Sequence, residues 1–434
     1  MRKMRDSGIA WIGVIPQDWE IVRTKSLYCS AKEIAGDRAD DFERLALTLN
    51  GVIKRSKEDS VGLQPEKFSG YQILKKGELV FKLIDLENVA TSRVGLSPYT
   101  GIVSPAYIVL SKQSRAKDLV VRYSMYHFLS MWQREIFNQM GDNGVRSSLN
   151  AKELLNIPHP FPSIYEQKRI VTFLDAQCAE IDAVLEKTRA SIEEYKKLKQ
   201  AVITQAVTKG IHGDRPMKDS GIEWVGEIPA EWSVVKGRRL ILATQNGLTR
   251  RDLEKSEGFI VLKLKNLDAD GNIDYSEVNR VALTDEEKSK YQLCDGDFLF
   301  VRVNGSRNLV GKCAIYHDVG EIVAYNDHII RVKLNDLCLK EYFHYYLLSI
   351  AGKREIELHT STAAGQFTIS GDGLRELRVV LPGIVEQAET VAYLDKKSAG
   401  IDALIAKKQQ YLTEIENYKK SLIYEYVTGK KEVV

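Results

Sequence analysis

The run from Gly305 to Lys312 contains the residue types of a phosphate-binding loop, which would hold phosphates on backbone N–H groups and magnesium on a hydroxyl. Its spacing does not fit that chemistry. Five residues separate Gly305 from Gly311 where the motif requires four, and Cys313 stands where Ser or Thr should follow the lysine. We therefore do not expect phosphoryl transfer at this segment.

A second near miss is Ser104-Pro105-Ala106-Tyr107, which is similar to the Asn-Pro-Pro-Tyr motif that holds the target base in amino-methyltransferases. The second proline is replaced by Ala106, and no glycine-rich cofactor loop accompanies the motif. We interpret it as a turn leading into a strand, with a packing tyrosine. No GxGxxG loop, HExxH motif or distinct nuclease carboxylate pair was found either. The chain thus has the character of a recognition or scaffold component rather than an enzyme.

Composition is that of an ordinary globular protein. The chain has 434 residues, a net charge of +3, 44% hydrophobic and 28% charged residues, which predicts about two to four domains. No apolar run is long enough for a membrane span and no secretory signal is visible, so we expect a cytoplasmic protein. An odd cysteine count without a CxxC pair predicts reduced thiols at all five positions: Cys29, Cys178, Cys294, Cys313 and Cys338.

The chain contains an internal repeat of about half its length. The opening at residues 6–19 recurs at 219–232, with Asp, Ser, Gly, Ile, Trp, Gly, Ile, Pro and Trp in register. Glu166-Gln167 recurs as Glu386-Gln387, and Val207-Thr208 as Val427-Thr428. Two copies of one domain-plus-helix unit, related by an approximate two-fold axis, are therefore expected.

Between each opening and each closing segment lies a longer, more divergent body. Short runs of alternating apolar and polar residues, such as 77–84 and 296–303, predict strands. These two runs align with each other, and residues 102–109 align with 322–329. We expect one mixed α/β fold in both bodies, with divergent surfaces.

The closing segments show a heptad pattern that predicts long helices. Each helix of about 42–44 residues would be about 60–65 Å long, and antiparallel pairing would hold two bodies apart on a rigid rod. The predicted coiled-coil core consists of Leu174, Ile181, Leu185, Ile192, Tyr195, Val202, Leu394, Ile401, Ile405, Leu412, Ile415 and Leu422.

Four features together resemble the specificity subunit of type I restriction–modification systems, over essentially the whole chain. They are the doubled Gly-Ile-x-Trp-Ile/Val-Gly-x-Ile-Pro-x-x-Trp opening, the Pro-x-Ile/Val-x-Glu-Gln start of each long helix, the heptad helices ending in Val-Thr, and the half-length repeat. The resemblance implies an α+β chain with two tandem target recognition domains, separated by two helices that form an antiparallel coiled coil. The implied divisions are a first recognition domain at 1–163, a spacer helix at 164–209, a linker at 210–216, a second recognition domain at 217–383 and a second spacer helix at 384–430.

The resemblance also implies partners. Each recognition domain would read one half of a bipartite double-stranded DNA target, and the helices would dock two modification (methyltransferase) subunits. Those subunits would use S-adenosylmethionine, and restriction subunits that join them would use ATP and Mg. The chain itself would hold no cofactor, metal or catalytic residue. Because the two bodies diverge, the target should be asymmetric.

The resemblance does not fix the base-contacting residues, so we chose them by chemistry: Arg and Lys suit guanine, and Asn and Gln suit adenine. The segment 302–308 is the sharpest candidate, because it leaves a strand, turns at Gly305 and contains two Arg and two Asn. Gln366 aligns with Arg146, which indicates equivalent loops. The predicted DNA contacts are Lys54, Arg55, Lys82, Arg93, Asn143, Arg146, Ser147, Thr249, Arg250, Arg251, Lys265, Asn266, Arg302, Asn304, Ser306, Arg307, Asn308 and Gln366.

Other recurring residues have simpler interpretations. The opening tryptophans are expected to be packing anchors at the helix base rather than platforms for bases. For Glu166-Gln167 and Glu386-Gln387, capping of the first helical turn and contact with a partner subunit both stay open. Two alternative functions also stay open: an adaptor that joins two non-DNA binding domains, and a self-contained enzyme with an unrecognised site.

Overall fold

The computed structural model describes residues 2–49, 51–58, 67–84, 86, 93–140, 148–250, 257–268, 271–363 and 365–433. It divides into two compact units. Unit 1 comprises Met1–Arg189 and Gln410–Val434, and unit 2 comprises Ala190–Gln409. The division crosses both long helices, so each unit contains a body together with one part of each helix. This differs from the domain limits expected from the sequence, which assigned each helix to a segment of its own.

Unit 1 begins with the first opening segment and continues through the first body into the first long helix. Its elements are β1 (Met4–Asp6), β2 (Val14–Pro16), β3 (Glu20–Arg23), α1 (Thr24–Leu27), β4 (Tyr28–Cys29), β5 (Arg44–Thr48), β6 (Gly51–Arg55), β7 (Gln72–Leu74), β8 (Leu79–Lys82), β9 (Arg93–Leu96), β10 (Gly101–Val103), β11 (Ile108–Lys112), α2 (Val121–Gln133), α3 (Ala151–Asn156), β12 (Pro158–Phe161) and α4 (Ile164–Lys209).

Two four-stranded sheets form the body of unit 1. One has the strand order β6-β5-β10-β7 and includes a parallel pair, β5 with β10; the other is antiparallel with the order β4-β11-β8-β9. Helix α2 covers the second sheet, where Phe128 meets Phe81 edge to face at 5.1 Å between ring centroids. Leu79, Val80 and Phe81 are fully buried because this strand is covered on both faces.

Unit 2 repeats the sequence of elements. They are β13 (Met217–Asp219), β14 (Glu227–Pro229), β15 (Ser233–Lys236), β16 (Ile241–Asn246), β17 (Phe259–Leu262), β18 (Asn279–Val281), α5 (Asp285–Tyr291), β19 (Phe298–Val301), β20 (Val303–Asn304), β21 (Cys313–Ile315), β22 (Val323–Tyr325), β23 (Ile329–Leu334), α6 (Lys340–Leu348), α7 (Ile350–Leu358), β24 (Ser361–Ala363), β25 (Gln366–Thr368), α8 (Gly371–Glu376), β26 (Arg378–Leu381) and α9 (Ile384–Val427).

The sheets of unit 2 follow the plan of unit 1. The antiparallel sheet β16-β23-β19-β21 corresponds to β4-β11-β8-β9, and β17 pairs with β22 in parallel as β5 does with β10. The hairpins β1-β2 and β13-β14 correspond, as do the pairs β3-β12 and β15-β26. The expectation of one mixed fold in both bodies is confirmed. Within the described residues, a small three-stranded sheet of order β20-β25-β24 is seen in unit 2.

A glycine turn precedes the central strand in both bodies. Gly77 and Gly296 have φ values of +86° and +83°, which side chains rarely adopt. Gly77 N donates to Ser97 O and Gly296 N to Tyr316 O, both at 2.8 Å. The same turn therefore starts β8 and β19, and the sequence alignment of these strands is structurally correct.

The strand pairing corrects the alignment at the next turn by two residues. Ile108 pairs with Phe81 in unit 1, and Ile330 pairs with the equivalent Phe300 in unit 2. Sequence similarity had instead placed Ile108 opposite residue 328. Between the glycine turn and this one, unit 2 is longer by three residues, since the offset between equivalent positions is 219 at Gly77 and Gly296 and 222 at Ile108 and Ile330. Short apolar runs do not reveal this difference because they match equally well in several registers.

Both long helices are continuous, and within each unit their segments run antiparallel. In unit 1, Phe173 lies 4.4 Å from Tyr426 between ring centroids, and Asp182 Oδ1 lies 2.5 Å from Lys419 Nζ. In unit 2, Lys199 Nζ lies 2.7 Å from Asp402 Oδ2. The residues predicted for the coiled-coil core are all buried or half-buried. Heptad spacing therefore identified the contacting face of each helix.

Candidate nucleic-acid interface

The three-stranded sheet β20-β25-β24, hereafter the ribbon, joins two segments that the sequence had nominated separately. Asn304 is the register partner of Phe367, and Gln366 is the partner of Ala363. Because β20 follows directly from the end of β19, the ribbon extends the central strand of the body beyond its sheet. Asn304, from the predicted segment 302–308, and Gln366 thus lie on neighbouring strands, and the rest of that segment follows in the turn after β20.

Most polar side chains of the ribbon are exposed. On its strands these include Gln366, whereas Asn304 is half-buried and its Oδ1 accepts a hydrogen bond of 2.9 Å from Ser306 N. Ser306, Arg307 and Asn308 lie in the segment that follows β20 and are also exposed. The guanidinium of Arg307 is held 6.0 Å from the ring centroid of Phe367. Amide, hydroxyl and guanidinium groups are those that read base edges in the DNA grooves. Ser361 and Thr362, exposed on β24, were not predicted from the sequence.

One turn, Tyr325–His328 between β22 and β23, connects the base of the ribbon to another predicted segment. Arg302 N donates to His328 O at 2.7 Å, and Arg302 Nη1 donates to Asp327 O at 3.1 Å. On its other side the turn contacts Leu248, whose N donates to Tyr325 O at 2.9 Å. Thr249 and Arg250 follow Leu248, so the segments at 249–250, 302–308 and 366 converge on one side of unit 2.

Gly247 makes this convergence sterically feasible. A Cβ at this position would lie 2.3 Å from the carbonyl oxygens of Tyr325 and Asn326. Real Cβ atoms do not approach backbone oxygens so closely, so any side chain here would push the 248–250 segment away from the turn.

Other candidates in unit 2 are committed to internal contacts. Arg250 Nη1 donates to Ala282 O at 3.0 Å and lies 3.3 Å from Glu287 Oε2, and Lys265 Nζ lies 2.9 Å from Glu277 Oε2. Arg251 lies outside the described residues.

Asn266 requires a correction. It is 2% exposed, and its amide nitrogen donates to Asp274 O at 2.9 Å and to Glu277 O at 3.0 Å. Its Oδ1 accepts a hydrogen bond from Lys263 N at 2.9 Å. Burial and saturation of the amide argue against the predicted DNA contact, and Asn266 instead holds its loop together.

The candidates of unit 1 are more scattered. Lys54 forms an ion pair with Glu43 at 2.5 Å and lies 5.3 Å from the ring centroid of Tyr99. Lys54 and Arg55 line a surface groove of about 560 Å³ that also contains acidic residues. Lys82 is the register partner of Arg93 at the end of β8, but the side chain of Arg93 is not described. Asn143, Arg146 and Ser147 lie outside the described residues.

Unit 1 nevertheless has the base of an equivalent ribbon. Ile84 bridges Ser148 in an antiparallel pairing, as Val303 pairs with Thr368 in unit 2. Leu149 N also donates to Leu83 O at 3.0 Å, which matches the bond from Ile369 N to Arg302 O. The expected equivalence of the loops around 146 and 366 therefore has support at their flanks.

The opening segments contact the starts of the long helices through a repeated set of bonds, hereafter the clasp. Trp19 Nε1 donates to Glu166 Oε2 at 2.9 Å, and Arg2 also binds this carboxylate. In unit 2, Trp232 Nε1 donates to Glu386 Oε2 at 2.6 Å, and Arg215 takes the place of Arg2. The buried Trp19 and Trp232 are packing anchors, as expected, and each glutamate contacts the opening segment of its own unit.

The glutamine beside each glutamate is fully buried. Gln167 Oε1 accepts from Val120 N at 2.8 Å while its Nε2 donates to Pro162 O at 2.9 Å. Gln387 accepts from Leu339 N, again at 2.8 Å. The Glu-Gln pair thus fixes both the opening segment and the loop before α2 or α6 to the first helical turn. This role was not expected from the sequence; capping of the first helical turn and contact with a partner subunit both stay predictions.

The near-miss motifs have structural roles. Cys313 is buried in β21, and burial raises the pKa of its thiol to about 12. The turn at Ser104–Tyr107 is held by Gln72, whose Nε2 donates to Ser104 O and Tyr107 O. Within the described ranges, no cluster of three or more His, Cys, Asp or Glu could hold a metal ion. Likewise, no described helix is long and apolar enough to cross a membrane.

Comparison with known proteins agrees with this architecture. The family model "Type I restriction modification DNA specificity domain" matches residues 253–414. The specificity subunit of the Escherichia coli (strain K12) type I restriction enzyme EcoKI is 26% identical over 330 residues, which cover 73% of this chain and 67% of that subunit. The MjaVIII specificity subunit of Methanocaldococcus jannaschii is 26% identical over 431 residues, covering 96% of this chain and 94% of that subunit.

A solved chain from work on complex assembly and conformational transition of the type I R-M system shares the fold. Its TM-score is 0.69 at 15% identity, with 96% of this chain and 99% of that chain covered. The chain is therefore similar to type I restriction enzyme specificity subunits, and residues 253–414 match their DNA specificity domain.

Proposed function

We propose that this chain is the DNA-recognition subunit of a type I restriction–modification complex. In this proposal the bodies of unit 1 and unit 2 each read one half of a bipartite target. The observation that carries it is the ribbon of unit 2, which places Asn304 and Gln366 on neighbouring strands, with the exposed side chains of Arg307 and Asn308 in the segment that follows β20. All three strands of the ribbon lie within residues 253–414, the segment that matches the specificity domain.

The repeat supports a split, asymmetric target. Both bodies share one strand plan, but their candidate reading residues differ. Repeated domains read repeated half-sites, which in two-fold DNA-binding proteins lie about one helical turn, roughly 34–36 Å, apart. Because the reading residues differ, we propose that the two half-sites differ in sequence and flank an unread spacer.

We further propose that the long helices dock two modification subunits. In unit 1, Tyr411 and Tyr418 of α9 are 48% and 54% exposed, although they are large and partly apolar. In unit 2, Leu198 and Leu404 are 48% and 45% exposed. Exposed aromatic and aliphatic side chains along a helix are typical of a surface that a partner covers.

In this proposal the modification and restriction subunits carry out catalysis. The modification subunits would use S-adenosylmethionine to methylate adenine, and restriction subunits, where present, would use ATP and Mg. This chain would hold none of these groups and have no activity alone. We propose the cytoplasm as its compartment, because host DNA and incoming phage DNA are accessible there.

The decisive experiment is genome-wide mapping of adenine methylation in a host that expresses this chain with its cognate modification subunit. The control host expresses the modification subunit alone. A new gapped, asymmetric motif that depends on this chain is the expected result. An assembled complex that produces no new motif would contradict the proposal and favour the adaptor alternative.

Docking is tested separately with Tyr418→Ala. We expect unchanged unfolding of the chain and weaker co-purification of the modification subunit, by about 2 kcal/mol if Tyr418 is a central contact. Lys197→Ala, on an exposed residue that pairs only locally with Glu194, is the control. Equal retention of the modification subunit by both variants would exclude this face.

A further inference from the structure

The turn Tyr325–His328 of unit 2 contains two polar side chains that the fold does not satisfy. Among the residues that the structure describes, Asn326 Oδ1 and His328 Nδ1 are buried atoms without a hydrogen-bond partner. Asn326 is 7% exposed, whereas the His328 side chain is 44% exposed. Its Nε2 lies 3.9 Å from Asp327 Oδ1, which is too long for a hydrogen bond. Buried polar atoms without partners cost free energy, so their presence needs an explanation.

The backbone of this turn, in contrast, is well fixed. Ile329 N donates to Asn326 O at 3.0 Å, and Asp327 N donates to Leu248 O at 3.0 Å. Arg302 adds the two bonds described above, to His328 O and Asp327 O. The turn thus presents its side chains from a rigid frame, beside the first residue of the ribbon.

The equivalent turn of unit 1 shows that the fold does not require these side chains. Ser104 corresponds to Asn326, because Tyr107 N donates to Ser104 O at 3.1 Å as Ile329 N does to Asn326 O. Pro105 and Ala106 stand where unit 2 has Asp327 and His328. Ser104 Oγ is satisfied within its own turn, by Ala106 N at 3.3 Å. The polar side chains of Asn326, Asp327 and His328 therefore occur in the body of unit 2 and not at the equivalent turn of unit 1. Residues that read only one half-site would be expected to differ in this way.

Charge distinguishes a base contact from a phosphate contact. The carboxylate of Asp327, 34% exposed, lies beside the imidazole and would repel a phosphate. A carboxylate accepts hydrogen bonds from the cytosine amino group, and an imidazole nitrogen can donate to or accept from a base edge. Bases therefore suit this turn better than the DNA backbone.

We propose that Asn326–His328 is a further sequence-reading element of unit 2, in which the His328 imidazole contacts a base edge in the half-site of this unit. The inference rests on the proposed function, because it requires that unit 2 binds DNA. Asn326 would hold the turn beside the ribbon and complete its hydrogen bonding when DNA is bound.

The test uses the full chain in complex with its modification subunit, after the wild-type motif has been mapped. His328→Ala and the more conservative His328→Gln are compared on duplexes that differ at single base pairs. The control is His317→Ala, because His317 is also in unit 2, is 72% exposed and lies beside an aspartate, Asp295, at 3.6 Å. Thermal unfolding of each variant is measured alongside.

We expect His328→Ala to reduce discrimination at one base pair of one half-site by roughly 5- to 150-fold, with the other half unchanged. A uniform loss on all sequences, together with a smaller salt dependence, would identify a phosphate contact and overturn the proposal. Behaviour identical to that of His317→Ala would overturn it as well. A wild-type complex without any sequence preference would instead refute the proposed function, so the two failures are distinguishable.

Discussion

Trp19 and Glu166 are joined by a hydrogen bond of 2.9 Å from the indole nitrogen to the carboxylate. Trp232 and Glu386 repeat this bond in unit 2. The two residues that recur most clearly in the opening and closing segments are thus opposite ends of one contact. Their joint recurrence reflects the attachment of each opening segment to a long helix rather than a binding site.

Trp19→Phe removes the donor and keeps an aromatic ring. We expect the clasp of unit 1 to weaken by about 1.5–3 kcal/mol, because hydrogen bonds to charged groups contribute about that much. Faster amide hydrogen exchange in residues 2–19 measures the effect. Tyr165→Phe, on the 71% exposed neighbour of Glu166, is the control. Unchanged exchange in Trp19→Phe would show that the bond contributes no stability.

Acid should destabilise unit 1 through two buried histidines. Burial lowers the pKa of His159 to about 4 and that of His127 well below its ordinary value of 6.5. The unfolded chain therefore binds protons that the folded chain does not, so stability is full above about pH 6.5 and falls as the pH drops towards 4. For His159 alone the loss is about 3 kcal/mol.

This pH dependence is measured as the unfolding midpoint of wild type and His159→Gln between about pH 4 and pH 7.5. The variant should show a shallower decline. His212→Gln serves as control, because the His212 side chain is 56% exposed. Parallel curves for wild type and His159→Gln would contradict the assignment.

Arg307→Ala should affect only one half of the target. The exposed guanidinium beside Phe367 is placed to bind a base or phosphate at the half-site of unit 2, and its loss should cost about 1–3 kcal/mol there. The double replacement of Arg302 and Arg307 should act on the same half. The methylation motif of the complex is the readout, with Arg238→Ala, another exposed arginine of unit 2, as control. Equal loss at both halves, or at neither, would refute the assignment.

Leu174→Ala tests the helix core of unit 1. Leu174 is fully buried in one cluster with Trp19 and Leu422, so truncation should destabilise unit 1 by about 2–5 kcal/mol. Val184→Ala, on the same helix at 39% exposure, should change stability by less than about 0.5 kcal/mol. Denaturant unfolding of both variants measures the difference, and similar effects would mean that the assigned helix face is wrong.

The repeat and the long helices were predictable because their signals are local and regular. The heptad spacing at Leu174, Ile181 and Leu394 identifies the buried face of each helix, since this spacing depends only on nearby positions along the same helix. The strands were harder. The two-residue correction between Ile108 and Ile330 comes from pairing with distant strands, which residue type alone does not specify.

In the candidate site, too, the residue types could be predicted from the sequence, whereas their arrangement by long-range contacts could not. Arg307 and Gln366 could be nominated by chemistry, but the approach of their two segments depends on the long-range pairing of β20 with β25. Asn266 was nominated by chemistry as well, but its side-chain amide makes all its hydrogen bonds within its own loop. No sequence pattern predicted these bonds. His328, proposed above to contact a base, was not nominated, although the two turns differ in sequence: Asn-Asp-His in unit 2 and Ser-Pro-Ala in unit 1.

Unit 1 is assembled from both ends of the chain, whereas unit 2 is one continuous stretch. During synthesis, unit 2 is complete when Gln409 has emerged from the ribosome. The buried cluster around Trp19 cannot form completely until Leu422, Ile423 and Val427 have also been synthesised. The first half to be translated is thus the last to be finished, and its apolar surface stays open meanwhile to chaperones or to another nascent chain. Translation should therefore be the stage at which this protein is most vulnerable to aggregation.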